Sequence, residues 1–437
     1  MKQLPQGIWL LIASYAHPRD LPSLARVSRI HPHACRPILY RNLSLRNSRS
    51  ADETISLLGT TLALRIERLE LITDAPISSL WPPLKVIKHM KNLRILTLRE
   101  ASPFTGAPEQ QEFVSAIAGC CPKLEEIEVD LPPEVLDEGF DLHGIRKVRW
   151  TSSSDSNSLS TPFSDRACRC LLLTSQSTLT HISFPGDIDD FEAEHIISFS
   201  TLHFPALQSL VLGTWIDVDS PEIPTALTRF LVAHPTLTEV SLGYSADDEY
   251  RIDLDPNVLQ AATTPILPAL RRLKGHPASI RDIAVHSLTT LELGSGHDPN
   301  VRFDFADLFD VLRGKGGLPN VKKLAYYAGV SAEDDMDLCS MCMDGLSALC
   351  PQVEVWVGDL PRVGLTLWSV VNILSKFANL RTVFLRSWGV PAPQNLLVLD
   401  VARAWQTNVH ISNGWSPKMK AAKEYLSYTS RGTKKGA

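Results

Sequence analysis

The chain has 437 residues, 44% of them hydrophobic and 21% charged, enough apolar material for a large core and too much for a wholly disordered chain. A formal net charge of -5 argues against a general nucleic-acid or anionic-membrane surface. No apolar run approaches the ~20 residues that a helix needs to cross a bilayer, so a membrane partner is not expected.

Residues 4–45 form the first set of predicted elements. Pro5 suits the first turn of a helix, where an amide donor has no use. Ile8, Leu11, Ile12 and Tyr15 recur at helical spacing and make one apolar stripe. His17-Pro18-Arg19 ends that helix, because proline disfavours a helical residue before it. Asp20 is a good N-cap, Pro22 falls in the next first turn, and Leu21, Leu24 and Val27 make a second stripe. The segment closes on Leu39-Tyr40-Arg41. Helices this short cannot bury enough surface to stand alone and need a partner.

With its Leu4-Pro5 opening and its Val27-Ser28-Arg29 close to the second helix, the segment resembles the F-box. That three-helix module binds the adaptor Skp1 in cullin-RING ubiquitin ligases. The resemblance implies that Leu4, Pro5, Ile8, Ile12, Leu21, Leu24, Val27 and Ser28 face the adaptor. Gly7 stands where the family usually has an acidic residue, Ala16 where it has Leu, and Ile30-His31 near where it has an aromatic. Two other readings of the segment stay open. One is an amphipathic helical cap on the following domain. The other is a secretory signal, suggested by Lys2, the apolar run Gly7 to Ala16 and the sequon Asn42-Leu43-Ser44. Against secretion, only one Lys precedes the run, Pro5 interrupts the approach, and the apolar pattern continues into a second stripe.

A polar connector follows, and then one pattern keeps returning: apolar, two variable, apolar, one variable, apolar. It appears as Ile66-Leu69-Leu71, Leu93-Leu96-Leu98, Leu124-Ile127-Val129, Ile145-Val148-Trp150, Leu179-Ile182-Phe184, Leu207-Leu210-Leu212 and Leu237-Val240-Leu242. After a truncated Leu270-Leu273 come Leu288-Leu291-Leu293, Val321-Leu324-Tyr326, a distorted Val353-Trp356 and Leu380-Val383-Leu385. The mean spacing is about 28 residues, within the range of leucine-rich repeats. The last two apolar positions alternate with one variable residue, as on a short strand. Several strands are preceded by helical stretches that end at Cys121-Pro122, His234-Pro235 or Cys350-Pro351; Val370 to Phe377 is a helix without the proline. The Asn that usually follows the strand in such repeats is missing from most copies, and Gly213, Gly243 and Gly294 stand there instead. A conventional parallel α/β sheet is the alternative architecture.

Residues 151–164 (TSSSDSNSLSTPFS) read as a mobile loop that could also carry phosphorylation sites. Cys339-Ser340-Met341-Cys342 has the spacing of a metal or redox pair, but a zinc site needs four ligands and Cys168-Arg169-Cys170 is poorly spaced to supply them. Structural, reduced cysteine is the expectation, with Cys120, Cys121 and Cys350 as small apolar fillers at helix ends, which agrees with a cytoplasmic or nuclear protein. Gly314-Lys315-Gly316-Gly317 lacks the flanking residues of a phosphate loop and reads as the capping turn of a helix over Phe305 to Leu312. The histidines beside proline read as turn residues. No catalytic, cofactor or metal residues are assigned, and the chain is not read as an enzyme.

The central strand positions are expected to face outward: Glu70, Thr97, Glu128, Arg149, Ser183, Val211, Ser241, Lys274, Glu292, Ala325 and Phe384. They carry no single charge sign. Trp215, Phe384 and Trp388, at or just past strand ends, could anchor a bound peptide, or the two Trp could fold back onto the core.

The expected fold class is therefore α/β. A helical F-box over 1–46 and a connector over 47–60 precede an irregular leucine-rich-repeat solenoid over 61–415, with about twelve divergent repeats, parallel strands on the concave face and helices on the convex face; a basic tail spans 416–437. The chain resembles fungal-type F-box proteins with divergent leucine-rich repeats. That resemblance implies a substrate-recognition subunit of a Skp1–cullin–F-box ubiquitin ligase, with a Skp1-like adaptor, a cullin and a protein substrate as partners. The alternatives are a repeat scaffold working outside the ligase and an enzyme within an irregular α/β domain.

Overall fold

The structure, a computed structural model, describes residues 8, 35, 38, 40–46, 62–73, 87–100, 107–130, 142–151, 166–185, 193–213, 220, 222–243, 254–262, 266–275, 283, 286–293, 312–314, 316–326, 344–358, 374–386 and 396–400. Outside them lie Leu4, Pro5, Ile12, Leu21, Leu24, Val27 and Ser28, the connector 47–60, the Ser-rich stretch after Thr151, Cys339, Cys342, Trp215, Trp388 and the basic tail. The chain divides into two compact units. The first is Met1–Ser245 with Tyr250–Ala269, and the second is Ala246–Glu249 with Leu270–Ala437.

Among the described residues, the first unit holds eight strands: β1 (Asn42–Arg46), β2 (Arg68–Thr73), β3 (Ile95–Glu100), β4 (Glu126–Asp130), β5 (Lys147–Thr151), β6 (His181–Phe184), β7 (Ser209–Leu212) and β8 (Glu239–Leu242). Each pairs parallel with its neighbour in sequence order. The motif positions fall in register, so that Leu69, Leu96, Ile127, Val148, Ile182, Leu210 and Val240 form one continuous row. Alternation does the sorting. In β4 Ile127 and Val129 are buried, while Glu126, Glu128 and Asp130 face the other side and are half-buried. β1 lies inside the stretch assigned to the helical module. Its Leu43 and Leu45 pair with Leu69 and Leu71 and are buried with them.

Helices α1 (Ala107–Cys120), α2 (Arg166–Thr174), α3 (Ala193–Ser200), α4 (Glu222–Ala233) and α5 (Pro256–Ala261) precede strands or close the unit. In α4, Ile223, Leu227, Phe230 and Leu231 recur at helical spacing and are buried. The strands' inward residues meet this layer: the Phe184 ring lies 6.0 Å from Phe199 of α3, which stacks on Phe230 of α4 at 5.0 Å. Asp255 caps α5 by accepting from Asn257 N at 2.9 Å, and its own N–H donates to Thr228 Oγ1 of α4. The Thr225 hydroxyl, bonded to the Asp255 carboxylate, is the main reason that group titrates below its ordinary value.

His234 departs from its reading as a turn residue. It is 1% exposed and ties two repeats together. Phe204 N–H donates to Nε2 at 2.9 Å, so Nε2 carries no proton and Nδ1–H donates to the Phe230 carbonyl at 2.7 Å. Burial, with His203 nearby, pushes its pKa below the ordinary histidine value.

The repeats are also joined before each strand begins. The missing Asn after the strand is offset by a polar residue immediately ahead of the first motif position. Asn92 Nδ2 donates to Leu64 O, Thr178 Oγ1 to Ile145 O and Thr236 Oγ1 to Leu207 O, at 2.6–2.7 Å. In the second unit Ser287 Oγ donates to Leu270 O, Asn320 Nδ2 to His286 O and Asn379 Nδ2 to Pro351 O. Each bond runs from one repeat to the repeat before it. Buried Ser175 serves the same end, donating to Leu142 O at 2.9 Å and accepting from Ile145 N at 3.2 Å.

Among the described residues, the second unit has five parallel strands in sequence order, β9 (Arg272–Gly275), β10 (Thr290–Leu293), β11 (Lys323–Tyr326), β12 (Val355–Gly358) and β13 (Thr382–Arg386). A sixth, β14 (Leu396–Asp400), pairs antiparallel with β13 and departs from the parallel scheme. The truncated and distorted motifs are ordinary strands whose third inward position is glycine: Gly275 aligns with Leu293, and Gly358 with Tyr326. Trp356 fills the core beside Phe377, ring centroids 5.7 Å apart. The reading of Gly314-Lys315-Gly316-Gly317 as a turn fits Gly317, whose φ is +84° and whose N–H bonds Leu312 O. A Cβ there would lie 2.7 Å from Leu349 O, so the close approach of the two repeats requires glycine. Among the described residues, no helix is long and apolar enough to cross a membrane.

Two stability measurements check this scheme. Ser175→Ala leaves the buried Ile145 N–H unpaired and is expected to lower unfolding stability by about 1–3 kcal/mol in denaturant titrations. Because His234 is neutral when folded, its contribution is full above the unfolded-state pKa of about 6.5 and is lost as pH falls below that value. The melting temperature should fall from pH 7.5 to 5.5, and His234→Phe should fall less steeply over that interval.

Candidate functional site

The polar face of each sheet is the surface on which side chains of many strands converge. In the first unit the central positions align as Ser44, Glu70, Thr97, Glu128, Arg149, Ser183, Val211 and Ser241. In the second they align as Lys274, Glu292, Ala325, Val357 and Phe384. All eleven positions named from the sequence thus lie on the expected sheet face. Their exposure is uneven. Arg149 is exposed, and Glu70, Glu128, Ser183, Val211, Lys274 and Phe384 are half-buried. Thr97 and Ala325 are fully buried, and Ser241 and Glu292 nearly so, which corrects the expectation of outward freedom at these four. At Thr97 the cause is neighbouring length, since a short side chain on a pleat between Glu70 and Glu128 is covered by them.

Glu128 shows the covering directly. Its carboxylate accepts from Thr97 Oγ1 at 3.2 Å, from an Arg68 amine at 3.3 Å and from an Arg99 amine at 3.4 Å, and Arg149 Nε stands 3.7 Å away. Arg99 Nε also meets Glu70 at 3.2 Å. Three guanidinium groups on three strands therefore share two carboxylates. In the second unit one oxygen of Glu292 accepts from Arg272 at 3.0 Å and Lys323 at 3.2 Å, with Lys274 beside it in register. Beyond that basic group the second unit's ladder turns apolar, through Ala325 and Val357 to Phe384.

This face can hold a partner by charge pairing and apolar contact. Among the described residues, no three His, Cys, Asp or Glu side chains come together as a metal-holding group. Burial pushes the Cys121 and Cys350 thiols up to about 12, so both stay protonated and unreactive at neutral pH. Burial, and Lys147 beside it, lower the pKa of His181 on the polar face. Of the peptide-anchor candidates only Phe384 is described, half-buried and paired with Val357 and Val398. Of the adaptor-facing candidates only Ile8 is described, helical and 42% exposed.

Sequence reasoning passed over a second charged row at the leading edge of the strands. The residue right after the first motif position is Glu67, Arg94, Glu125 and Arg146 in successive repeats, and Arg41 holds the same place ahead of β1. A check of charge at that one position would have found it.

No protein-family model and no curated protein matches the chain. Among solved structures it is similar to the crystal structure of a Bacteroides fragilis protein, at 12% identity and a TM-score of 0.31, over 81% of this chain and 86% of that one. A likeness that weak carries no argument about function.

Glu128→Gln keeps the Thr97 contact but leaves the guanidinium groups short of a charge. The expected result is a loss of about 1–2 kcal/mol in low salt that shrinks in molar salt, since the partners are partly exposed. Paired denaturant titrations at the two salt concentrations measure it.

Proposed function

We propose that the chain is a substrate receptor of a Skp1–cullin–F-box ubiquitin ligase and is not itself catalytic. Residues 4–45 would bind the Skp1-like adaptor, through it the cullin, and the repeated sheet would bind a protein substrate. The observation that carries the reading is the F-box pattern from Leu4-Pro5 to Val27-Ser28, placed ahead of a repeated α/β body. The body supports it as well. In-register parallel strands one repeat apart, with apolar residues on one face and variable polar residues on the other, are what divergent leucine-rich repeats would build. A cytoplasmic or nuclear location follows from the same reading.

Co-purification of the full chain with Skp1 and a cullin tests the assignment. Both partners should be recovered with the wild type and lost with a Leu4→Ala/Pro5→Ala/Leu21→Ala variant. Recovery of neither with a well-folded wild type would reduce residues 4–45 to a helical cap.

A further inference from the structure

The seam between the repeats of β7 and β8 is fastened by a titratable group. His234, just past α4, is buried; its Nε2 accepts the Phe204 N–H at 2.9 Å and its Nδ1–H donates to the Phe230 carbonyl at 2.7 Å. An imidazole has two nitrogens, so the ring can take up a proton only on the atom that holds Phe204. The protonated Nε2 would point a donor at the Phe204 donor. It would also place a charge in apolar surroundings. The Phe230 ring lies 4.1 Å from the imidazole and the Phe204 ring 6.0 Å, centroid to centroid, and Phe199 of α3 lies against both phenyl groups. Among the described residues the titratable group beside the ring is His203, in the turn after α3, at 5.3 Å; a charge on it opposes a charge on His234. Glu194 of α3 and Glu222 and Arg229 of α4 are exposed. The side chains that tie other repeats together, such as Asn92, Thr178 and Ser175, are amides and hydroxyls and do not titrate near neutral pH.

We propose that this seam is an acid-opened latch: protonation of His234 releases Phe204 and the turn over 201–204 from the end of α4 and uncovers the Phe199, Phe204 and Phe230 rings. The strands beside it stay paired. Thr236 Oγ1 still donates to Leu207 O, Thr238 N to Gln208 O, and β7 keeps its ladder to β8, none of which involves the imidazole. The opening is therefore local, which separates it from the general loss of stability in acid. Its direction follows from linkage. The closed latch holds the histidine neutral, and the open one lets it take a proton below its ordinary value of about 6.5, so the open population grows as pH falls. The proposal goes beyond the ligase reading and holds whether or not residues 4–45 bind an adaptor.

The test is amide hydrogen exchange of the full chain, read by mass spectrometry as protection relative to unstructured peptides at the same pH. Protection of the Phe204 amide should fall by about tenfold from pH 7.5 to 5.5. The Ile145 amide, bonded to Ser175 in another seam, should keep its protection over that interval. His234→Gln offers an acceptor that cannot be protonated in this range, so it should lose the pH dependence at Phe204. His203→Gln, at an exposed position, should make the fall shallower, because it removes a charge that works against one on the closed ring. Unchanged protection of Phe204, an equal fall at Phe204 and Ile145, the wild-type fall in a folded His234→Gln, or a steeper fall in His203→Gln would each overturn the proposal. If His234→Gln does not fold, the contrast between Phe204 and Ile145 in the wild type decides alone.

Discussion

The rest of this structure depends on one constraint: in each unit, the backbone donors at the start of a strand find their acceptors on the repeat before it. A parallel strand has no hairpin partner of its own, so each repeat is stable only against a neighbour. The row of carbonyls that receives those donors begins ahead of the strand proper, at Arg41, Glu67 and Arg94 in the first unit and at Arg271, Thr289 and Lys322 in the second. Register is thereby held from the residue ahead of each strand. With register fixed, alternation sends the apolar motif residues to one side and the variable residues to the other. The core and the polar face both follow from that single alignment.

The length of the connections is left free by the same constraint. Successive motif positions in the first unit, such as Ile127 to Val148 and Val148 to Ile182, are separated by very different stretches of chain, yet all stand in register. Helices as unlike as the fourteen-residue α1 and the eight-residue α3 fit between strands because only the strand and the turn before it are held in common. This is why twelve motif copies were legible in the sequence despite irregular spacing: the short motif is where the physics is strict. The truncated copies were also legible as copies, and glycine at the third position explains why they look broken.

What the sequence hid lies in relations between repeats. Tyr40-Leu43-Leu45 has the repeat spacing, but its place at the end of a helical segment drew it into the wrong element. The antiparallel β14 has no motif ahead of it. His234 sits beside proline as a turn residue would, and only the position of Phe204, thirty residues away, gives its ring two backbone partners. On the polar face, side-chain direction was legible from alternation alone, whereas the burial of Thr97 depends on how long its neighbours are. The charged edge row needed the same kind of information, since its members stand some thirty residues apart.

The backbone bonds formed just ahead of each strand, and the side-chain bonds beside them, point one way. The N–H groups, the hydroxyls and the side-chain amides belong to the later repeat, and the carbonyls belong to the earlier one. A chain leaving the ribosome therefore presents its acceptors first, and a bare carbonyl row is readily hydrated while it waits. Each new repeat arrives with its own donors and docks on a finished template. Assembly in the order of synthesis would then let the leading edge of each repeat close on a carbonyl row that is already in place.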